Sequence, residues 1–197
     1  MLSFLLFLQA AGIAMPDADA RFMRRYMPGY LAEVQMEFFV TPRGNVLECT
    51  VLYPRVSDEL GAQLCEPTIG KRLGSPARGP DGERTYGMTA ATIVRSTRSE
   101  SPSERDGNFV PSPDLVISVS TMPGEKERHT VNVLVLIDEE GRIQDCESQA
   151  RSEDGFAAVA CEQSVGHQFA IHRGEDRVPA RYVDSIRVDF VLDTAAD

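Results

Sequence analysis

The chain has 197 residues, of which 42% are hydrophobic, 25% charged and 7% aromatic. This composition excludes disordered, collagen-like and polytopic membrane classes. With 30 acidic against 20 basic side chains the formal charge is −10, which argues against a surface that condenses on nucleic acid or anionic lipid.

The first fourteen residues carry no charge, and Leu2-Ser3-Phe4-Leu5-Leu6-Phe7-Leu8 forms an apolar run. As a helix this stretch is roughly 20 Å long, too short for a hydrocarbon core of about 30 Å. A cleaved signal peptide over residues 1–20 is the expectation, without a transmembrane anchor. Small residues at Ala18 and Ala20 suit a cut after Ala20, with Ala14 as the other site. Export would expose the four cysteines to an oxidising compartment, where they are expected to pair. Four cysteines allow three connectivities.

The chain repeats itself. At a shift of 97, Val34-Met36-Phe38-Val40 falls on Val131-Val133-Val135-Ile137, Gly44 on Gly141 and Cys49 on Cys146. After one deleted residue the shift is 96, and Cys65 falls on Cys161, Leu73 on Phe169 and Tyr86 on Tyr182. This period exceeds the roughly 20–50 residues of solenoid repeats, so each copy should be a small domain. Repeat symmetry then selects the disulfides Cys49–Cys65 and Cys146–Cys161.

In chain order, each copy begins with a strand of alternating apolar residues and a glycine turn, Thr41-Pro42-Arg43-Gly44-Asn45 or Asp138-Glu139-Glu140-Gly141-Arg142. A helix follows from an N-cap at Ser57 or Ser152. Leu60 and Leu64 mark its inner face in the first copy; Phe156, Ala160 and Cys161, with Phe169 near the end, mark it in the second. Pro67 and Gly70 should end the first helix early. The closing strand of copy one, Met88 to Val94, is rich in Ala and Thr and should be weak. Residues 96–113 read as a linker dense in Ser, Arg, Glu, Pro and Gly, and Leu115 to Val119 as an extra strand belonging to either copy. In the last strand Ile186, Val188, Phe190 and Leu192 alternate with Arg187, Asp189 and Asp193, which predicts one wet face. The expected fold class is α+β: two tandem, separable β-β-α-β domains, 21–95 and 114–197, each a small antiparallel sheet on one helix.

No catalytic constellation emerges. His129, His167 and His172 lack metal spacing, no nucleotide or nucleophile motif occurs, and Asp138-Glu139-Glu140 reads as a solvated hairpin tip. The chain is therefore not expected to be an enzyme, to hold a metal or to carry a cofactor.

Both copies resemble the C-terminal domain of TonB. Copy one carries the likeness through Val34 to Phe38, Gly44-Asn45-Val46, Cys49, Leu60, Cys65, Arg72-Leu73 and Ser75-Pro76-Ala77. Copy two does so through Val131 to Ile137, Gly141-Arg142-Ile143, Cys146, Cys161, Phe169, Val178-Pro179-Ala180 and Ile186 to Leu192. Variants with cysteines in the second strand and the helix are especially similar. The resemblance implies a periplasmic module that binds a peptide or protein by β-strand addition, with an outer-membrane receptor segment as the partner and a link to outer-membrane transport. Ile186, Arg187, Val188, Asp189, Phe190, Val191 and Leu192 are the expected edge, its charges guarding against self-association. The alternative is a pseudo-dimer whose copies satisfy each other's edges, with no ligand and no energy-transducing role.

Overall fold

The computed structural model describes residues 15, 17–18, 33–53, 56–94, 112–122, 126–148 and 155–193. The expected linker therefore lies outside the described residues except for its last two positions, as does the expected leader except for Met15, Asp17 and Ala18.

Each repeat follows the order strand, strand, helix, strand. The first comprises β2 (Glu33–Val40), β3 (Val46–Tyr53), helix α1 (Asp58–Cys65) and β6 (Arg84–Val94); the second comprises β8 (Arg128–Ile137), β9 (Ile143–Ser148), helix α2 (Phe156–Ser164) and β10 (Tyr182–Leu192). Short strands β1 (Asp17–Ala18), β4 (Gly74–Ser75), β5 (Ala77–Arg78) and β7 (Leu115–Val119) complete the set. The class is α+β.

The copies do not form two separate antiparallel sheets. Eight strands make one mixed sheet in the order β3-β2-β6-β10-β8-β9, with β5 added to β6 and β7 to β10. The closing strands join in parallel, Tyr86 beside Tyr182 and Gly87 beside Val183. Within each strand-strand-helix-strand set the pairings are antiparallel, and β7 joins β10 in parallel.

Side-chain alternation explains how two helices share one sheet. Val34, Met36, Phe38 and Val40 of β2 pack with Leu64 and Cys65 of α1, whereas Phe39 points the other way. It joins Val133, Tyr182 and Ile186 in the core beneath Ala157 and Ala160 of α2. The helices thus cover opposite faces. On the α1 side Ala77 packs on Leu134, Leu136 and Val183 of the second repeat, with Met15 against them.

Several local expectations hold for stated reasons. Both glycine turns have positive φ, +84° at Gly44 and +80° at Gly141, and a Cβ there would lie 2.6 Å from the carbonyl oxygen of Gly74 or Phe169. Ser57 caps α1 by accepting from the Leu60 N–H at 3.4 Å. That helix stops at Cys65, and Pro67 lies in a 3-10 turn over Glu66–Thr68. Cys49–Cys65 and Cys146–Cys161 are bridged, with Cα atoms 5.5 Å and 5.6 Å apart.

Others need correction. Helix α2 starts at Phe156 behind Gly155, whose φ is +74°, and Ser152 lies outside the described residues. Phe169 lies beyond the end of α2, donating its N–H to the Gly141 carbonyl as Leu73 does to that of Gly44. Strand β6 extends over eleven residues despite its Ala and Thr, because β2 pairs with it from Gly87 to Val94. Asp138 is buried: its Oδ1 accepts from the N–H groups of Arg142 at 2.7 Å and Glu140 at 3.0 Å, organising the turn that Glu139 and Glu140 expose.

Candidate functional site: an uncharged strand edge beside an apolar groove

From Val188 to Val191 the expected edge strand is paired on both sides and lies inside the sheet, whereas among the described residues Ile186 and Arg187 have a strand neighbour on the β8 side only. β8 pairs with β10 from Tyr182 to Val191 on one side, and on the other β7 runs parallel from Val188 to Leu192. The structure thereby settles the place of Leu115 to Val119: they fill the position that a strand-adding partner was expected to take. Ile186, Val188 and Phe190 are buried as expected, and Val191 and Leu192 half-buried. Asp189, expected on a wet face, is 1% exposed. Its carboxylate accepts from the Thr130 hydroxyl at 2.6 Å and lies 3.4 Å and 3.5 Å from the guanidinium groups of Arg187 and Arg128. A buried carboxylate survives there because it is paired on several sides.

Among the described residues the sheet is open along β3, β9 and the outer side of β7, and at the two-residue β5, which pairs only with β6. The first two carry recognisable guards: Glu48 on β3, Asp145 and Glu147 on β9, and irregularities in register against their partners. β7 carries no charged side chain; it reads Leu-Val-Ile-Ser-Val, and among the described residues it pairs only with β10. It is tied at both ends. The Asp114 N–H donates to the Arg187 carbonyl at 2.9 Å, Asp114 Oδ2 accepts from the Arg187 N–H at 2.7 Å, and the Val119 carbonyl accepts from the Asp193 N–H at 2.8 Å.

Beside this edge lies a groove of ≈ 480 Å³ between the end of β7 and the first turns of α2. Phe190 forms its floor, Phe156 and Val159 its helical wall, and Ser118, Ser120 and Thr121 a hydroxyl rim. Phe156 stacks edge-on against Phe190 with centroids 4.7 Å apart, and Val159 is 39% exposed. The arrangement offers main-chain groups along one line and an apolar slot for side chains next to it.

A second cavity opens where β6 and β10 part. It holds ≈ 330 Å³ and is lined among others by Gln35, Glu37, Asp114, Asp184 and Arg187. Burial, foremost, pushes the Asp184 carboxyl up to about 7, opposed by the Ser185 N–H and reinforced by Glu37 and Asp114. Burial also raises Glu37, partly offset by His172. His172 is at the seam of the repeats: its ring stacks on Phe39 at 4.7 Å and its Nδ1 lies 3.2 Å from Glu48 Oε2. His167 is exposed, and His129 lies edge-on to Phe156. Among the described residues no group of three or more His, Cys, Asp or Glu is placed to hold a metal ion, and no helix is long and apolar enough to cross a membrane.

Sequence reasoning missed both β7 as an edge and the carboxylates at the fork. The uncharged run Leu115 to Val119 was a readable signal for the first; for the second, nothing in the spacing of Glu37, Asp114 and Asp184 announces that they meet. No protein-family model, curated protein or solved structure matches the chain.

Proposed function

We propose that this chain is an exported, disulfide-stapled protein-binding module of the kind represented by the C-terminal domain of TonB, acting in the periplasm. It takes an extended segment of a protein partner on the outer side of β7. The observation that carries the reading is the contrast among edges: β3 and β9 are guarded by charge and irregularity, whereas β7 is uncharged, tied at both ends and flanked by an apolar groove. An uncharged edge is a liability unless something pairs with it. Further support comes from the β-β-α-β order of each repeat and from the disulfide linking each second strand to its helix. In this reading the repeats are tandem TonB-like units, and an outer-membrane receptor segment is the partner class. The role is binding, not catalysis.

The second reading, a closed pseudo-dimer without a ligand, draws on the mutual pairing of β6 and β10, which removes the edge of each repeat's last strand. Val159→Glu separates the two. It places a charge in the groove at an already exposed position, so the fold should persist. Cross-linking in a periplasmic extract should capture a specific partner with the parent chain and with Val165→Glu, an exposed position outside the groove, but not with Val159→Glu. Equal capture by all three, or by none, would favour the pseudo-dimer.

A further inference from the structure

The parallel seam between the repeats is short. β6 and β10 are in register for two residue pairs, and β7 joins β10 only from Val188 onward. Between these contacts, residues 184–187 of β10 face the cleft on that side. Alternation places Gln35 and Glu37 on the same face as Phe39, and Asp184 on that of Tyr182 and Ile186, whereas Ser185 and Arg187 point to the opposite face. The cleft is therefore a slit that cuts into the sheet between the repeats.

We propose that this slit is a binding site for an organic cation, an ammonium or guanidinium group held between the carboxylates of Asp184 and Glu37. Among the described residues three carboxylates line it, Glu37, Asp114 and Asp184, against one guanidinium, that of Arg187. Arg187 is already turned toward Asp189 at 3.4 Å, and one oxygen of Asp114 is taken by the Arg187 N–H. Asp184 accepts the Ser185 N–H at 2.7 Å, and among the described residues no cation is paired with it. A second observation comes from a neutral group. Gln35, 8% exposed, lines the slit on the face of Glu37, and among the described residues no hydrogen bond reaches its side chain, whereas Thr89 lines the slit from the opposite face, beside Phe38. A buried amide left open to a cavity has a carbonyl oxygen to offer to a ligand with several N–H donors, which an ammonium or guanidinium group supplies. A bare metal ion lacks such donors, and no ligating cluster is present among the described residues. The volume lies at the lower end of small-ligand pockets.

Charge recognition couples the site to pH. The groups around Asp184 are Glu37 from β2, Asp114 before β7 and Tyr182 on the same face of β10, with Arg187 on the opposite face and His172 acting on Glu37. Asp184 must shed its proton to hold the cation, so binding should weaken as pH falls through about 7. The site is independent of the strand-docking reading, because the slit and the groove share no lining residue.

Isothermal titration of the full chain with 1,4-diaminobutane and, separately, N-acetyl-arginine amide tests the proposal. At pH 8 at least one probe should bind saturably, and affinity should drop about tenfold for each pH unit below 7. Asp184→Asn and Glu37→Gln should each lower it about tenfold or more. Asp184→Asn should remain folded and melt above the parent at pH 8, since folding holds this carboxyl protonated and its stabilising effect is lost between pH 4 and 7. Gln35→Leu, which leaves the charges intact, should weaken binding less. Tighter binding of the diamine would identify a free amine as the ligand; tighter binding of the arginine amide would identify a basic side chain. No saturation by either probe up to about 10 mM, or unchanged binding in both charge variants, would overturn the proposal.

Discussion

Ala77 and His172 occupy the same place in the two repeats, and what each touches shows how the copies have diverged. Ala77 packs on Leu134, Leu136 and Val183 of the second repeat. His172 stacks on Phe39, the counterpart of Leu136, with Met88 in the same core and Glu37 standing where the other repeat has Leu134. One side of the seam is thus aliphatic and filled. The other is aromatic and polar, and Glu37 and Asp184 of the slit lie on it. Duplication supplied a nearly symmetric sheet, and substitution at a few seam positions gave one face of it chemistry.

The largest test of this comparison asks whether the repeats are units at all. The sequence suggests that a fragment beginning at Asp114 folds alone, but Phe39 and Met88 of the first repeat sit in the core of the second. Without them β10 also loses its parallel neighbour at Tyr182 and Val183. The fragment should therefore give no cooperative melt or self-associate, as read by calorimetry and sedimentation. A cooperative monomeric melt would show that the seam is decoration.

A smaller change probes the same point inside the full chain. Phe39→Ala should cost about 3–5 kcal/mol, and Phe38→Ala a similar amount, because both rings are fully buried. Their neighbours differ. Phe39→Ala should accelerate hydrogen exchange in β8 and β10, and Phe38→Ala in β3 and α1. Identical exchange maps would mean that the two faces are not distinguishable cores.

Next in size are the staples. Replacing either cysteine pair with alanine opens a loop closed over 16 or 15 residues, worth about 3 kcal/mol in the chain-entropy model. With a shared sheet, either double substitution should lower one common calorimetric transition. Two transitions of which only one moves would indicate repeats that melt independently.

Much of this fold was legible because it follows from local chemistry. Period-two alternation located the strands, glycines at positive φ located the turns, and repetition of the cysteines fixed their partners. The last third of each repeat was read out of register. Aligning Tyr86 with Tyr182 implies a shift of 96, yet Phe39 pairs with Met88 and its counterpart Leu136 with Val183, a shift of 95. A one-residue difference between Leu73/Phe169 and the following hairpin causes this. The signal was present as Arg78-Gly79-Pro80-Asp81-Gly82 and Arg173-Gly174-Glu175-Asp176-Arg177, but pairing Pro76-Ala77 with Pro179-Ala180 concealed it. The candidate site was less readable still, because an edge is defined by what does not pair with it. Strand 186–192 has every local mark of a usable edge and is occupied by a segment whose docking no local pattern encodes.

These two hairpins yield the finest comparison. In each, the first glycine donates its N–H to the carbonyl four residues on, the aspartate Oδ1 accepts from the N–H two residues later, and the arginine donates from Nη1 to the carbonyl at the left-handed position, at 2.7 Å from Arg78 and 2.9 Å from Arg173. The left-handed residue is Gly82 with φ +78° in the first repeat and Arg177 with φ +64° in the second, the latter unique among described non-glycine residues. A Cβ in that conformation crowds the following carbonyl at roughly 1–2 kcal/mol. Arg177 is exposed, and the hairpin uses its main-chain N–H and carbonyl. Arg177→Gly should therefore stabilise the chain by up to about 1 kcal/mol, the relief of strain being partly offset by greater freedom in the unfolded state. Gly82→Ala should destabilise it by a similar amount. Both are measurable as shifts of the urea midpoint at unchanged slope. If Arg177→Gly instead destabilises, the arginine side chain contributes something at this turn that its glycine counterpart does not need, and the hairpins are equivalent in shape only.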